Sequence, residues 1–252
     1  MDVAHDVIAS SDNRVVVGLG ATGLSCARYL HARGLPFVVV DTREQPPGLD
    51  ELRATMPGVP VYAGDIPRDI IADATEVVVS PGIPMDAEIV TLARDAEVDV
   101  IGDIDLFMRE AAAPVIGITG SNAKSTVTEL VGCMAREAGH DVGVGGNLGT
   151  PALDLLAAGR DLYVLELSSF QLERAGVLGL AVACVLNVSP DHLDRHGSMP
   201  AYHQAKHRIF RGCRAAVVNR DDPLTVPLVA ADVELVSWRM GEPELKGFGL
   251  RR

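Results

Sequence analysis

Short runs of β-branched residues, each followed by a longer stretch with helical apolar spacing, set the tightest limit on what this sequence can fold into. Runs such as Val15–Gly18 and Val77–Ser80 are apolar almost throughout rather than alternating, and a strand that shows water neither face belongs inside a parallel sheet covered by helices. The predicted class is α/β. Strands are expected at Val15–Gly18, Phe37–Asp41, Val59–Tyr62, Val77–Ser80 and Val98–Ile101, with helices at Gly23–Arg33 and Ala87–Ala96, which together make a complete doubly wound unit over residues 1–102. A second series, over residues 103–252, begins with an alanine-rich helix at Ile104–Ala113 and continues with strands near Val115–Thr119, Val142–Val144, Leu162–Leu165, Ala183–Asn187 and Ala216–Val218. The tail Arg239–Arg252 has no helical or strand period and reads as an interruption of that second domain.

Composition narrows the partners. A chain of 252 residues that is 48% hydrophobic can bury the cores of two ordinary domains. Its formal charge of −12 would repel nucleic acid and anionic membranes, so an anionic ligand has to be held by a local site. Cys26, Cys133, Cys184 and Cys213 form no C-x-x-C pair and no zinc-ligand spacing, and read as reduced thiols. The polar start of the chain lacks the pattern of a secretory signal, and the longest apolar stretch, Val177–Val185, is far short of a membrane span. The expectation is a cytoplasmic monomer with no membrane insertion.

The first glycine loop, Gly18-Leu-Gly20-Ala-Thr-Gly23, follows the first strand and opens the first helix, where glycines let backbone amides approach a phosphate at a positive helix terminus. Asp41 ends the second strand, where a carboxylate could bind a ribose hydroxyl, so one reading is an NAD-dependent oxidoreductase. The other is a mononucleotide gripped by three loops at one sheet edge, since Thr42-Arg43 could clamp a diphosphate and Ser80-Pro81-Gly82-Ile83 makes a further tight turn there.

The second loop, Gly117-Ile-Thr-Gly120-Ser121-Asn122-Ala123-Lys124-Ser125-Thr126, again joins a strand to a helix, predicted at Val127–Ala138. Lys124 can neutralise β- and γ-phosphate charge, and the hydroxyl of Ser125 or Thr126 can bind Mg²⁺. Ala123 stands where a strict P-loop has glycine; its methyl is harmless at negative φ but costs roughly 1 kcal/mol in a left-handed conformation. The predicted architecture is thus an N-terminal Rossmann-like parallel-sheet domain followed by an incomplete P-loop ATPase α/β domain.

These residues, with Tyr163-Val-Leu-Glu166-Leu-Ser168-Ser169-Phe-Gln171-Leu-Glu173, Gly145-Gly146-Asn147-Leu148-Gly149, Asn187-Val188-Ser189-Pro190-Asp191-His192-Leu-Asp194-Arg195 and Tyr202-His-Gln-Ala-Lys206, resemble the Mur ligase family, in particular its D-glutamate-adding member. The resemblance runs from about Val15 to the C-terminus. It implies an ATP-dependent ligase of peptidoglycan synthesis, in which ATP phosphorylates the alanyl carboxylate of UDP-N-acetylmuramoyl-L-alanine and D-glutamate attacks the acyl phosphate. It further implies ATP contacts at Gly120–Thr126 and uridine-nucleotide contacts at Thr22, Asp41, Thr42, Arg43 and Gly82. Asn147, Ser168 and Gln171 would lie nearer the sugar and its peptide stem. Mg²⁺ would be ligated by Ser125, Glu166, His192 and Lys206, the last as a carbamate, with Lys124, His192 and Lys206 carrying the chemistry. By the bare sequence Glu166 is a solvated strand end, His192 a loop histidine, and Lys206 one cation among several on a helix at Ala201–Phe210. The family also has a C-terminal domain that this sequence does not contain, so the chain alone is expected to be inactive, or to be a noncatalytic fragment that binds the UDP-sugar or nucleotide.

Overall fold

A computed structural model describes residues 13–244 and 247–250, and the chain divides into two compact units between Val100 and Ile101. The first unit alternates β1 (Arg14–Val17), α1 (Ala21–Ala32), β2 (Phe37–Asp41), α2 (Leu49–Thr55), β3 (Val61–Ala63), α3 (Arg68–Ala72), β4 (Glu76–Val79), α4 (Glu88–Asp95) and β5 (Asp99–Ile101). The strand order is β3-β2-β1-β4-β5, and β1 runs parallel to both neighbours, with Val17 opposite Val40 and Val79. Val15, Val17, Val40, Val77 and Val79 are buried with Ile89, Val90 and Ala93 of α4, the two-sided burial that the unbroken apolar runs required. Because the chain builds outward from β1 on one side and then crosses to β4 on the other, the carboxyl ends of β1 and β4 bound the crevice where a ligand can enter.

The second unit begins with α5 (Asp103–Glu110) and continues through β6 (Val115–Thr119), α6 (Lys124–Glu137), β7 (Val142–Gly146), β8 (Leu162–Glu166), α7 (Ser169–Arg174), β9 (Val182–Val185), α8 (Leu193–His196), α9 (Met199–His207), β10 (Ala215–Asn219), β11 (Glu234–Trp238) and β12 (Gly247–Phe248). Its strand order is β12-β11-β10-β9-β6-β8-β7. β6 lies inside the sheet, with β8 and β9 parallel on either side, so the loop after β6 opens at this sheet's own switch point.

Several elements differ from the sequence expectation. The helix expected to reach Ala113 ends at Glu110, with Ala111 already extended; Pro114 follows, and the residue before a proline avoids the helical region. β3 starts at Val61 instead of Val59 because Pro60, which offers no N–H, joins the ladder only through its carbonyl, to Val39. α6 starts at Lys124, three residues before the expected Val127. α9 starts at Met199, where the Ser198 hydroxyl caps it by accepting from the Ala201 amide, and tightens into a 3₁₀ turn over Arg208–Phe210. The tail read as patternless supplies β12, which pairs with β11, a strand the sequence reading also missed.

Candidate functional site

In the first unit, the turn after β1 is held from within. Gly18 has φ +89°, its amide donates to the Val40 carbonyl (2.8 Å), and its carbonyl accepts the Ser80 hydroxyl (2.9 Å). A Cβ on Gly23 would lie 1.7 Å from the Gly18 oxygen, whereas one on Gly20 or Gly82 would meet nothing within 4 Å. Gly18 and Gly23 are therefore demanded by the fold, and Gly20 and Gly82 leave space in front of the sheet edge. That space is a cavity of about 400 Å³ lined by Thr22, Asp41, Thr42, Arg43, Ser80 and Gly82, among others. All five residues expected at the uridine nucleotide meet there. Ser80, which opens the turn read from the sequence, also lines the cavity, although it was not among the five expected contacts.

Asp41 is 3% exposed. It accepts the Leu19 amide (2.7 Å), the Arg43 amide (2.9 Å) and both Nε and Nη2 of Arg43 (2.8 and 2.6 Å). Burial pushes its pKa up, but the Arg43 side chain and these amides outweigh it and hold the carboxyl below its usual range. With every acceptor site engaged, Asp41 is a brace that fixes the Arg43 guanidinium at the cavity rim, a different job from the free ribose acceptor of the oxidoreductase reading.

In the second unit, the loop after β6 is bound on several sides. The amides of Ser121 and Asn122 both donate to Asn187 Oδ1 (3.1 and 2.8 Å). The Ser121 hydroxyl lies 3.0 Å from the Tyr202 hydroxyl and accepts the Ser189 amide at 3.0 Å. Lys124 Nζ donates to the Ser121 carbonyl (3.1 Å), and Lys206 Nζ donates to the Gly120 carbonyl (2.7 Å). These ties leave the first-turn amides of α6, which have no intrahelical acceptors, as the donors for a phosphate. Ala123 sits at φ +64°, ψ +7°, the left-handed case in which its methyl is costly.

Glu166, at the end of β8, is 2% exposed, so the solvated strand end of the bare reading is set aside. Its carboxylate accepts the Ser125 hydroxyl (2.7 Å) and the Asn147 amide nitrogen (2.7 Å). Asn147 is brought this close because Gly146, at φ +102°, has no Cβ, which would otherwise stand 2.5 Å from the Glu166 carbonyl. Carboxylate and hydroxyl oxygens beside a phosphate loop are the hard donor set that suits Mg²⁺, which takes one or two protein ligands and completes its shell from phosphates and water. Among the described residues, no group of three or more His, Cys, Asp and Glu gathers to hold a metal.

Lys206 is likewise buried, at 2% exposure, with its ammonium 4.6 Å from the centre of the Tyr202 ring. Burial, then the neighbouring Lys124 charge, lowers its pKa to about 7. His192 is half-exposed, in a left-handed conformation at φ +49°, with its ring 4.9 Å from that of Phe170 and Nε2 3.5 Å from Asp191. Ser168 and Gln171 form a capping box on α7: the Ser168 hydroxyl accepts the Gln171 amide (3.1 Å), and Gln171 Oε1 accepts the Ser168 amide (3.1 Å). Gln171 Nε2 also donates to Asp103 Oδ2 (2.9 Å). Asn187, Tyr202 and Asp103 were not singled out from sequence, although the first two lie inside the motifs quoted above.

Two parallel-sheet units, each with a glycine loop at the carboxyl edge of its sheet, define an α/β protein of doubly wound architecture. The chain belongs to the Mur ligase family: residues 12–102 match the Mur ligase MurD-like N-terminal domain and residues 118–242 the Mur ligase middle domain. It is 57% identical, over 97% of its length, to the UDP-N-acetylmuramoylalanine--D-glutamate ligases of Pseudomonas aeruginosa and Marinobacter nauticus. The chain spans about half the length of these curated relatives, 54% and 55% respectively. Among solved structures, it shares its fold with UDP-N-acetylmuramate:L-alanyl-gamma-D-glutamyl-meso-diaminopimelate ligase from Neisseria meningitides (TM-score 0.60, 15% identity, 93% of this chain and 82% of that one). UDP-N-acetylmuramate-alanine ligase from Thermotoga maritima is similar in the same sense (TM-score 0.54, 21% identity, 91% and 53%).

Proposed function

We propose that this chain provides the uridine-nucleotide-binding unit and the ATP-binding unit of a ligase that adds D-glutamate to UDP-N-acetylmuramoyl-L-alanine in peptidoglycan synthesis, acting as a cytoplasmic monomer. The observation that carries the reading is the buried Glu166 carboxylate bonded to Ser125 at the start of α6, beside a loop whose carbonyls hold Lys124 and Lys206. Among the described residues no helix is long and apolar enough to cross a membrane, in keeping with a soluble substrate. Residues 1–102 would hold the uridine diphosphate against Thr22, Thr42, Arg43 and Gly82, and residues 103–252 the ATP.

The reaction forms an acyl phosphate: a carboxylate oxygen of the alanyl group attacks the γ-phosphorus and ADP leaves. The D-glutamate nitrogen then attacks the acyl carbon, phosphate departs, and the amine loses a proton. Transfer between anions needs alignment and charge neutralisation more than a covalent nucleophile. Lys124 and the first-turn amides of α6 supply that at the phosphates, while Glu166 and Ser125 would hold Mg²⁺, which screens the phosphate oxygens when bound. His192 and Asn147 would face the substrate's acyl end. Lys206 would act as a carbamate: its neutral amine adds to CO₂, forming an N–C bond and losing a proton, and the new carboxylate replaces a cation with a metal ligand. A neutral amine is the prerequisite, and the burial of Lys206 supports it.

Two variants of the full-length protein test the assignment. Lys124→Ala should abolish ATP turnover while leaving uridine-nucleotide affinity nearly intact, since the two loops belong to different units; equal loss of both ligands in calorimetry would refute it. Lys206→Ala should lose nearly all activity and regain part of it with acetate in solution, whereas an ordinary structural lysine predicts persistent activity and no acetate effect.

A further inference from the structure

Asn187 stands two residues beyond β9, and the backbone on either side of it is tied down. The Leu186 amide donates to the Thr119 carbonyl (2.9 Å), the Leu186 carbonyl accepts Asn219 Nδ2 (3.2 Å), and the Val188 amide donates to Asp222 Oδ2 (2.9 Å). From this fixed base the Asn187 side chain grips Asn122 in the loop after β6. The pairing is reciprocal: Oδ1 accepts the backbone N–H of Asn122 (2.8 Å), and Nδ2 donates to the backbone carbonyl of the same residue (3.1 Å). Oδ1 also accepts the Ser121 N–H (3.1 Å); since both N–H groups can only donate, the orientation of the side-chain amide is fixed. A side chain thus engages both backbone groups of one residue, as a neighbouring antiparallel strand would.

That grip sets the conformation of the next residue. The Asn122 carbonyl lies in the peptide plane that enters Ala123, and the Ala123 carbonyl, in the plane that leaves it, accepts the Val127 amide (3.0 Å). With both planes anchored, Ala123 is held at φ +64°, a conformation that residues with a Cβ rarely adopt. The peptide is trans, so its N–H points opposite to its carbonyl: holding the Asn122 oxygen turns the Ala123 N–H away from Asn187. Ala123 is exposed, and its N–H has no acceptor among the described residues.

We propose that Asn187 is a positioning residue of the phosphate loop, and that the donor it positions is the Ala123 N–H, which joins the first-turn amides of α6 in receiving a phosphate oxygen of the nucleotide. The inference rests on the reading of this loop as the ATP site. Without the side-chain grip, the peptide plane between Asn122 and Ala123 is free to rotate, Ala123 relaxes to negative φ, and its N–H swings out of the donor set. The left-handed shape then becomes a minor state, and the apparent affinity for nucleotide falls with the fraction that stays competent.

The test is calorimetry on the full-length protein, with ATP and Mg²⁺ in one titration and the uridine nucleotide in another. Asn187→Ala should weaken ATP binding by about tenfold or more and leave the uridine-nucleotide affinity, which belongs to the other unit, unchanged. Adding Ala123→Gly should recover most of that loss, because glycine takes positive φ about as readily as negative; a merely structural asparagine predicts no such recovery. Asn187→Leu, alone and with Ala123→Gly, keeps most of the side-chain volume and serves where the alanine variant fails to fold. An ATP affinity within about twofold of wild type in a folded variant, or no recovery on adding glycine, would overturn the inference alone. Absence of ATP binding by the unsubstituted protein would instead sink the ATP reading and the inference with it, which tells the two failures apart.

Discussion

Replacing Ala123 by glycine should stabilise the second unit. At φ +64° and ψ +7°, the alanine methyl crowds its own backbone, at a cost of ~1–2 kcal/mol relative to a residue without Cβ. Glycine relieves this but gives the unfolded chain more freedom, which returns ~0.4–1 kcal/mol. The net expectation is a gain of about 1 kcal/mol. Alanine tolerates the conformation because the loop around it is overdetermined by Asn187, Tyr202, Lys124 and Lys206, as backbone strain at functional sites usually requires. Urea unfolding, followed by the single tryptophan, Trp238 in β11, reports on this unit. With a slope of ~1–3 kcal/mol/M, the midpoint should rise by roughly 0.3–1 M at unchanged slope. A lower midpoint would refute the argument, for it would mean that the methyl makes contacts worth more than the strain.

In the first unit, Gly23→Ala should unfold the domain or destabilise it by more than about 3 kcal/mol, because a Cβ 1.7 Å from the Gly18 carbonyl has no space. Gly20→Ala should leave the melting temperature unchanged but weaken uridine-nucleotide binding; circular dichroism and calorimetry separate the two, and equal stability in both variants would contradict the division of roles. Asp103, buried with no hydrogen-bond partner for Oδ1 among the described residues, has its pKa raised to about 6, chiefly by desolvation, against the Gln171 hydrogen bond. Its folded form therefore prefers the proton, so stability relative to Asp103→Asn should fall as pH rises from about 4 through 6, by up to roughly 3 kcal/mol; denaturation midpoints of the pair across that range should diverge, and parallel curves would sink the assignment. The 252-residue chain by itself should release no phosphate in response to D-glutamate.

What the sequence determined by itself was the alternation. Apolar runs at Val15–Val17, Val77–Val79 and Val115–Thr119 admitted only a parallel sheet, and glycine loops directly after β1 and β6 could only open helices at the sheet edges, so both glycine turns were legible before any coordinates. Strands β11 and β12, at one side of the sheet, were not, because exposed residues such as Glu234 and Leu235 carry no unbroken apolar signal, and their strand state comes from β11 pairing with β10 and β12 with β11. Tertiary structure also decided the roles of individual side chains. Asp41 became a brace for Arg43 rather than a free acceptor, and Gln171 a cap tied to Asp103. Ala123 took the left-handed conformation because partners distant in sequence hold the loop there. Only packing could reveal that Lys206, by sequence one helix cation among several, is buried against the Gly120 carbonyl, since burial depends on which segments the sheet order brings together, and sequence periodicity reports only on neighbours along the chain.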